Sequence, residues 1–165
     1  MATSGATGRP APERGPPAGA SQRRGFAGTA RILRRVIDQT SLYDRVGGMP
    51  FFESLVAGFY RRVATDDILR PLYPEDDLAP AQQRLTLFLA QYWGGPRTYE
   101  SQRGHPRLRM RHVPFAIDQL ARDRWLQHMR AALADVSEGT PLAPAVAAEL
   151  DRYLEMAADA MRNRG

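Results

Sequence analysis

Three histidines, His105, His112 and His128, and the absence of cysteine bound the chemistry open to this chain of 165 residues. Without cysteine there is no disulfide, thiolate nucleophile or iron–sulfur cluster, so any metal must take His, Asp or Glu as its protein ligands. No HExxH or other paired-ligand spacing occurs among the three His, which argues against a protein-caged zinc ion. A single axial His is nevertheless enough to hold a haem, because the porphyrin supplies the other four nitrogens. His112 is the best placed: it closes a short expected helix, one turn after Leu108 and beside Met110 and Val113, with Pro114 breaking the chain directly behind it. An axial imidazole has to be neutral and oriented, and the carbonyls left free at a helix end offer the hydrogen bond that does this. The same placement suits a helix-end histidine with a purely structural role, and spacing by itself leaves both readings open.

The neighbouring residues carry the same ambiguity. Arg107, Arg109 and Arg111 present alternate guanidinium groups, which suit the two propionates of a haem or, without one, form a solvated face. His105 precedes a proline in a loop, and His128 falls beside Trp125 and Met129 on a helix, so both read as structural. Tyr60 and Trp125 sit on the inward stripes of their helices and bring polar donors into an apolar core, where each needs an acceptor. If both face one cavity with Tyr73, three donors converge on its occupant; otherwise they are core aromatics bonded to backbone or water.

The elements that must position these groups read as helices by spacing, caps and breakers. Residues 41–46 form a short capped turn ending at Gly47 and Gly48. Pro50 then starts a helix to about Ala64 with Phe52, Leu55, Val56, Phe59, Tyr60 and Val63 on one face. Asp66 and Asp67 cap a short segment interrupted by Pro71 and Pro74. A second helix runs from about Pro80, carries Leu85, Phe88, Leu89 and Tyr92, and stops at Gly94, Gly95 and Pro96. Residues 97–107 hold few large apolar side chains and read as a long loop. A brief helical piece from Pro106 to Val113 comes next. A long helix carries Leu120, Trp125, Leu126, Met129, Ala132 and Leu133 and closes at Gly139 and Pro141. The last helix, from about Ala143 to Met161, carries Val146, Leu150, Tyr153, Leu154 and Ala157. The expected fold class is all-α, with four substantial helices.

Composition separates this body from the segment before it. Residues 1–40 hold seven Arg against Glu13 and Asp38, whereas residues 41–165 hold 16 Arg against 16 acids, so the whole formal charge of +5 lies in the first segment. A globular surface balanced in this way argues against nucleic-acid binding by phosphate neutralisation. Residues 1–40, rich in Gly, Ala, Pro and Arg, bury too little to offset the entropy of ordering and are expected to be a disordered extension before a domain spanning 41–165. Ile32, Leu33, Val36 and Ile37 form at most one amphipathic turn there. Arg23, Arg24, Gly25 and Phe26 look like a twin-arginine export signal, but Arg31, Arg34 and Arg35 stand where its apolar core belongs, so a cytoplasmic location is expected. No apolar run approaches the ~18 residues of an integral membrane segment.

Taken in order, YDRVGG at 43–48, Phe59 and Tyr60, Val63, YPEDDL at 73–78, FLAQYWGGPRTY at 88–99, QRGHPRLRMRHVP at 102–114, Trp125 and YLEMA at 153–157 resemble a truncated haemoglobin of the second group, the actinobacterial type. The resemblance covers residues 41 to about 162. It implies a globin-like two-over-two helical sandwich gripping haem b (iron protoporphyrin IX). His112 matches the proximal iron ligand. Tyr60, Tyr73 and Trp125 match the residues that hydrogen-bond to the bound ligand and serve any catalysis. Ala81 matches the position where larger globins place a distal His, leaving an open route from solvent, with Leu85 one turn later. Arg84, Tyr99 and Arg111 fall near propionate-binding positions, and Phe88 completes the implied haem contacts. The implied small ligands are O2, NO, CO or peroxide, held with slow release, and the implied activities are nitric oxide dioxygenation or peroxidase chemistry. Because no flavin or nicotinamide motif is present, electrons would come from an external reductase. A homodimer is left open. The rival from another class is a haem-free helical interaction or regulatory module whose partner engages the Arg-rich extension.

Overall fold

The computed structural model describes Met1 and residues 40–165; the extension read as disordered, with its amphipathic turn at residues 32–37, lies outside the described residues. Ser41 opens the described body as a helix cap. Its hydroxyl accepts the Asp44 N–H at 3.2 Å and donates to the Asp44 carboxylate at 2.7 Å, starting α1 (Leu42–Arg45). The Tyr43 N–H donates to the Trp93 carbonyl at 3.0 Å, which ties α1 to the end of α3 (Ala79–Tyr92). That contact explains Gly94, whose φ is +99° and where a Cβ would lie 2.6 Å from the Ser41 Cβ. Only glycine meets both requirements.

Helix α2 (Met49–Val63) starts with proline in its first turn, as expected. Phe52, Leu55, Val56, Phe59 and Val63 on its stripe are at most 1% exposed. Burying a side chain of this size contributes about 1.5–3 kcal/mol before entropy is charged, so this stripe anchors the core. It packs on α3 and, most extensively, on α6 (Gln119–Gly139), where the buried Gly58 faces Ala132 so closely that a Cβ would lie 3.2 Å from the alanine Cβ. Asp118 caps α6 by accepting the Ala121 N–H at 2.8 Å. Helix α7 (Pro144–Met161) packs against α6. Two helix pairs, α2 with α3 and α6 with α7, thus meet through α2 and α6. Among the described residues there is no strand, and no helix is long and apolar enough to cross a membrane.

Two expectations need correction. Residues 97–107 are not a continuous loop: Thr98–Arg103 form α4, packed on α3. Six mostly polar residues carry no readable periodicity. The helix is fixed from outside, by the Gln91 side chain accepting the Glu100 N–H at 2.9 Å and by burial of Tyr99 to 4% exposure. Leu120 and Tyr92, placed on buried stripes by spacing, are 54% and 49% exposed; each lies in an end turn of its helix, where Tyr92 packs one face on Tyr153, with ring centroids 4.2 Å apart.

Candidate haem site

Helix α5 (Leu108–His112) carries the candidate ligand and buries no residue of its own. It starts at Arg107, held at φ +43° and ψ +46°, a left-handed conformation that costs a non-glycine residue about 1–2 kcal/mol. Arg111 braces the approach: its guanidinium donates to the Pro106 carbonyl at 2.8 Å and the Arg103 carbonyl at 2.9 Å. His112 Nδ1 lies 2.7 Å from the Leu108 carbonyl oxygen. A carbonyl can only accept, so Nδ1 carries a proton, and Nε2 is the nitrogen whose lone pair can face a metal. Among the described residues Nε2 has no hydrogen-bond partner. An imidazole oriented by a second hydrogen bond, with its free lone pair on the other nitrogen, is what an axial iron ligand requires.

The chain beyond α7 completes this arm. The Asn163 amide donates to the carbonyls of His112 itself, at 3.0 Å, and Phe115, at 2.9 Å, while its oxygen accepts the Ile117 N–H at 3.1 Å. Three bonds from one side chain bridge the break at Pro114. Nothing in the sequence near Asn163 marks it, because its partners lie 46–51 residues away. Met110 and Val113, beside His112 in the sequence, form no buried apolar wall: each is 67% exposed, an apolar surface on α5 that no part of the described chain covers.

The donor side is built differently. Tyr60, on the buried face of α2, is 6% exposed, and its ring meets Tyr73 edge-on at 5.6 Å. Tyr73 comes directly after a 3-10 turn (Arg70–Leu72), and Arg70 locks this corner by donating to the carbonyls of Tyr73, Glu75 and Asp76 at 2.9, 3.1 and 3.2 Å. Burial, together with neighbouring Tyr73, pushes the Tyr60 phenol far above its ordinary value; burial likewise raises Tyr73. Both therefore keep their protons at physiological pH and remain donors. Two facing hydroxyls spend at most one proton on each other, so one proton of the Tyr60–Tyr73 pair is left for another acceptor. Trp125, half-buried on α6, joins the group through Phe59, 5.6 Å from the indole and 5.1 Å from Tyr60. Among the described residues its indole N–H has no partner.

The remaining implied haem contacts cluster on α3 and α4. Ala81 and Phe88 are buried and Leu85 is half-buried, all on α3. Arg84 pairs with Glu75 at 3.1 Å, and Tyr99 packs edge-on against Phe88 at 5.5 Å. Arg84, Leu87, Tyr99 and Arg103 line a groove of about 320 Å³ between α3 and α4. His105 accepts the Arg107 N–H at 3.4 Å, and His128 bonds Asp66, both within the protein.

Two stacked helix pairs, with no strand among the described residues, define a globin-type fold. The chain belongs to the bacterial-like globins, whose family pattern matches residues 41–163, and within them to the group 2 truncated haemoglobins. It is similar to the group 2 truncated haemoglobin YjbI of Bacillus subtilis, 42% identical over 94 residues that cover 57% of this chain and 70% of that one. Two-on-two hemoglobin-3 of Arabidopsis thaliana is 37% identical over 101 residues, with 60% of this chain covering 57% of the plant protein. The crystal structure of a thermostable hemoglobin from Thermobifida fusca matches with a TM-score of 0.72 and 54% identity, over 75% of this chain and 98% of that one. An oxygen-avid truncated haemoglobin from Bacillus subtilis matches with a TM-score of 0.69 and 36% identity, over 75% and 100%. Membership of this family implies a haem cofactor and small diatomic ligands.

Proposed function

We propose that this chain holds haem b through His112, binds O2 with slow release, and uses it in nitric oxide dioxygenation or peroxide chemistry in the cytoplasm. The observation that carries the reading is the 2.7 Å bond from His112 Nδ1 to the Leu108 carbonyl, which leaves Nε2 as the nitrogen whose lone pair can face a metal. Haem b, when bound, supplies the iron at which O2, NO, CO or peroxide is taken up. The chain's own residues control how long a ligand stays. The Tyr60–Tyr73 pair and Trp125 offer unspent donors to a ligand that gains negative charge on binding. Each such bond is worth about 1 kcal/mol net and more to a charged acceptor, which slows release. Slow release suits a reaction partner better than a carrier, and the similarity to an oxygen-avid relative supports this. Arg84, Arg111 and Tyr99 would flank the propionates, with Ala81, Leu85 and Phe88 against the ring. Repeated turnover needs electrons from an external reductase.

Two measurements on purified protein test this. A Soret band should be present in the wild type and absent in His112→Ala; a folded wild type that takes up no added haem overturns the reading. Stopped-flow mixing of the oxygenated protein with nitric oxide, beside peroxide turnover on the ferric form, then decides between the two activities.

A further inference from the structure

Asp66 is a buried charge that the haem reading does not use. Its carboxylate is 2% exposed and fully engaged. One oxygen accepts the N–H groups of Ile68 and Leu69 at 2.9 and 2.8 Å. The other accepts from Arg124 Nη1 at 2.8 Å and His128 Nε2 at 2.7 Å, 58 and 62 residues along the chain. Arg124 and His128 are four apart on α6, so they share one face, within the same turn as Trp125. On the other side the path from Asp66 to Tyr73 is short and hydrogen-bonded throughout: Arg70 N–H to the Asp66 carbonyl at 3.1 Å, Leu72 N–H to Leu69 at 3.0 Å, and Tyr73 N–H to Arg70 at 3.1 Å. The Asp66 N–H also donates to the Val63 carbonyl at the end of α2, the helix of Tyr60, at 3.1 Å.

We infer that Asp66 is a positioning residue of the ligand site, tying the corner of Tyr73 to the turn of α6 that carries Trp125 and so setting the spacing between the tyrosine pair and the indole. The inference rests on the proposed haem site. A charge buried this deeply is held only while its donors stay in place, and losing one partner leaves it uncompensated. The tie is therefore stiff, unlike the exposed ion pairs elsewhere on the surface.

Asp66→Asn separates the two halves of the tie. The amide oxygen can still accept from Ile68 and Leu69, but the amide nitrogen then faces the donors of Arg124 and His128. The experiment uses the full haem-loaded chain and reads the C–O stretching frequency of the carbon monoxide adduct, which reports the polarity around the bound ligand. The same samples give oxygen release and melting temperature. In Asp66→Asn the stretch should shift and oxygen release should change by between about twofold and thirtyfold. The control Asp151→Asn, which breaks the exposed pair with Arg130, should move neither. A lower melting temperature with an unmoved stretch overturns the inference, since a purely structural cluster gives that result. If Asp66→Asn does not fold, His128→Leu and His128→Gln decide. A shift in the leucine variant that glutamine, which keeps an N–H donor, largely restores supports the tie; equal or absent shifts overturn it. A wild type with no carbon monoxide band overturns the haem reading itself, a result distinct from an unmoved band in the variant.

Discussion

The two sides of the candidate haem site are held by different physics. The donor side grows out of the core: Tyr60 and Phe59 belong to the most deeply buried stripe of the molecule, and Trp125 packs on Phe59. The ligand side is a five-residue helix with nothing buried, steered by Arg111 and Asn163 through hydrogen bonds to backbone carbonyls. Core packing fixes the aromatic side, whereas Met110 and Val113 on the His112 side are left uncovered by the described chain. If the proposed site holds haem, its donors are preorganised and the His112 side is stabilised by the cofactor.

This contrast can be broken or sharpened by mutation. The largest effect belongs to His112→Ala, which should weaken haem affinity by more than about a hundredfold, since changes one shell beyond a metal ligand already cost 10–100-fold. Haem titration followed at the Soret band measures it, and retention of the band would place the ligand elsewhere. On the donor side Phe59→Ala should cost about 3–5 kcal/mol of apoprotein stability, while Met110→Ala should stay within about 0.5 kcal/mol. Denaturant unfolding of the haem-free protein compares them, and equal costs would erase the distinction between the two regions. Trp125→Phe should speed oxygen release by roughly tenfold; Tyr60→Phe, which leaves the Tyr73 hydroxyl in place, should have a smaller effect. An unchanged rate in the tryptophan variant would mean that the tyrosines alone hold the ligand. Asn163→Ala should accelerate haem loss by about fivefold, with oxygen release much less affected.

The smallest effect near neutrality comes from pH. Burial alone would raise the Asp66 carboxyl, but the bonds from Leu69, His128, Arg124 and Ile68 reverse this and hold it well below the usual carboxylate range. Because the folded-state value lies below the unfolded one, the group adds stability that is complete above about pH 4 and is lost as the pH falls further. The stability gap between wild type and Asp66→Asn should therefore narrow as the pH falls below about 4; a gap that widens there would contradict the assigned direction.

Much of the fold is legible in the sequence for a physical reason: four long helices carry their own periodicity, and Pro50, Gly94, Gly95, Gly139 and Pro141 mark their ends. Helix α4 is not legible because its stability comes from Gln91 and from the pocket that takes Tyr99, both outside its own six residues. Asp66 is readable as a cap, which it is, but not as the partner of Arg124 and His128, since long-range pairing leaves no local pattern.

The residue types and their spacing determined an all-α chain without thiol chemistry, one histidine at a helix end fit for an axial role, and the aromatic donors on inward faces. Tertiary structure alone decided which imidazole nitrogen carries the proton, that Asn163 clamps the ligand helix from the far end of the chain, and that one buried carboxylate joins two donor-bearing elements. These features depend on groups tens of residues apart coming within about 3 Å of each other, a proximity that packing creates and local pattern cannot encode.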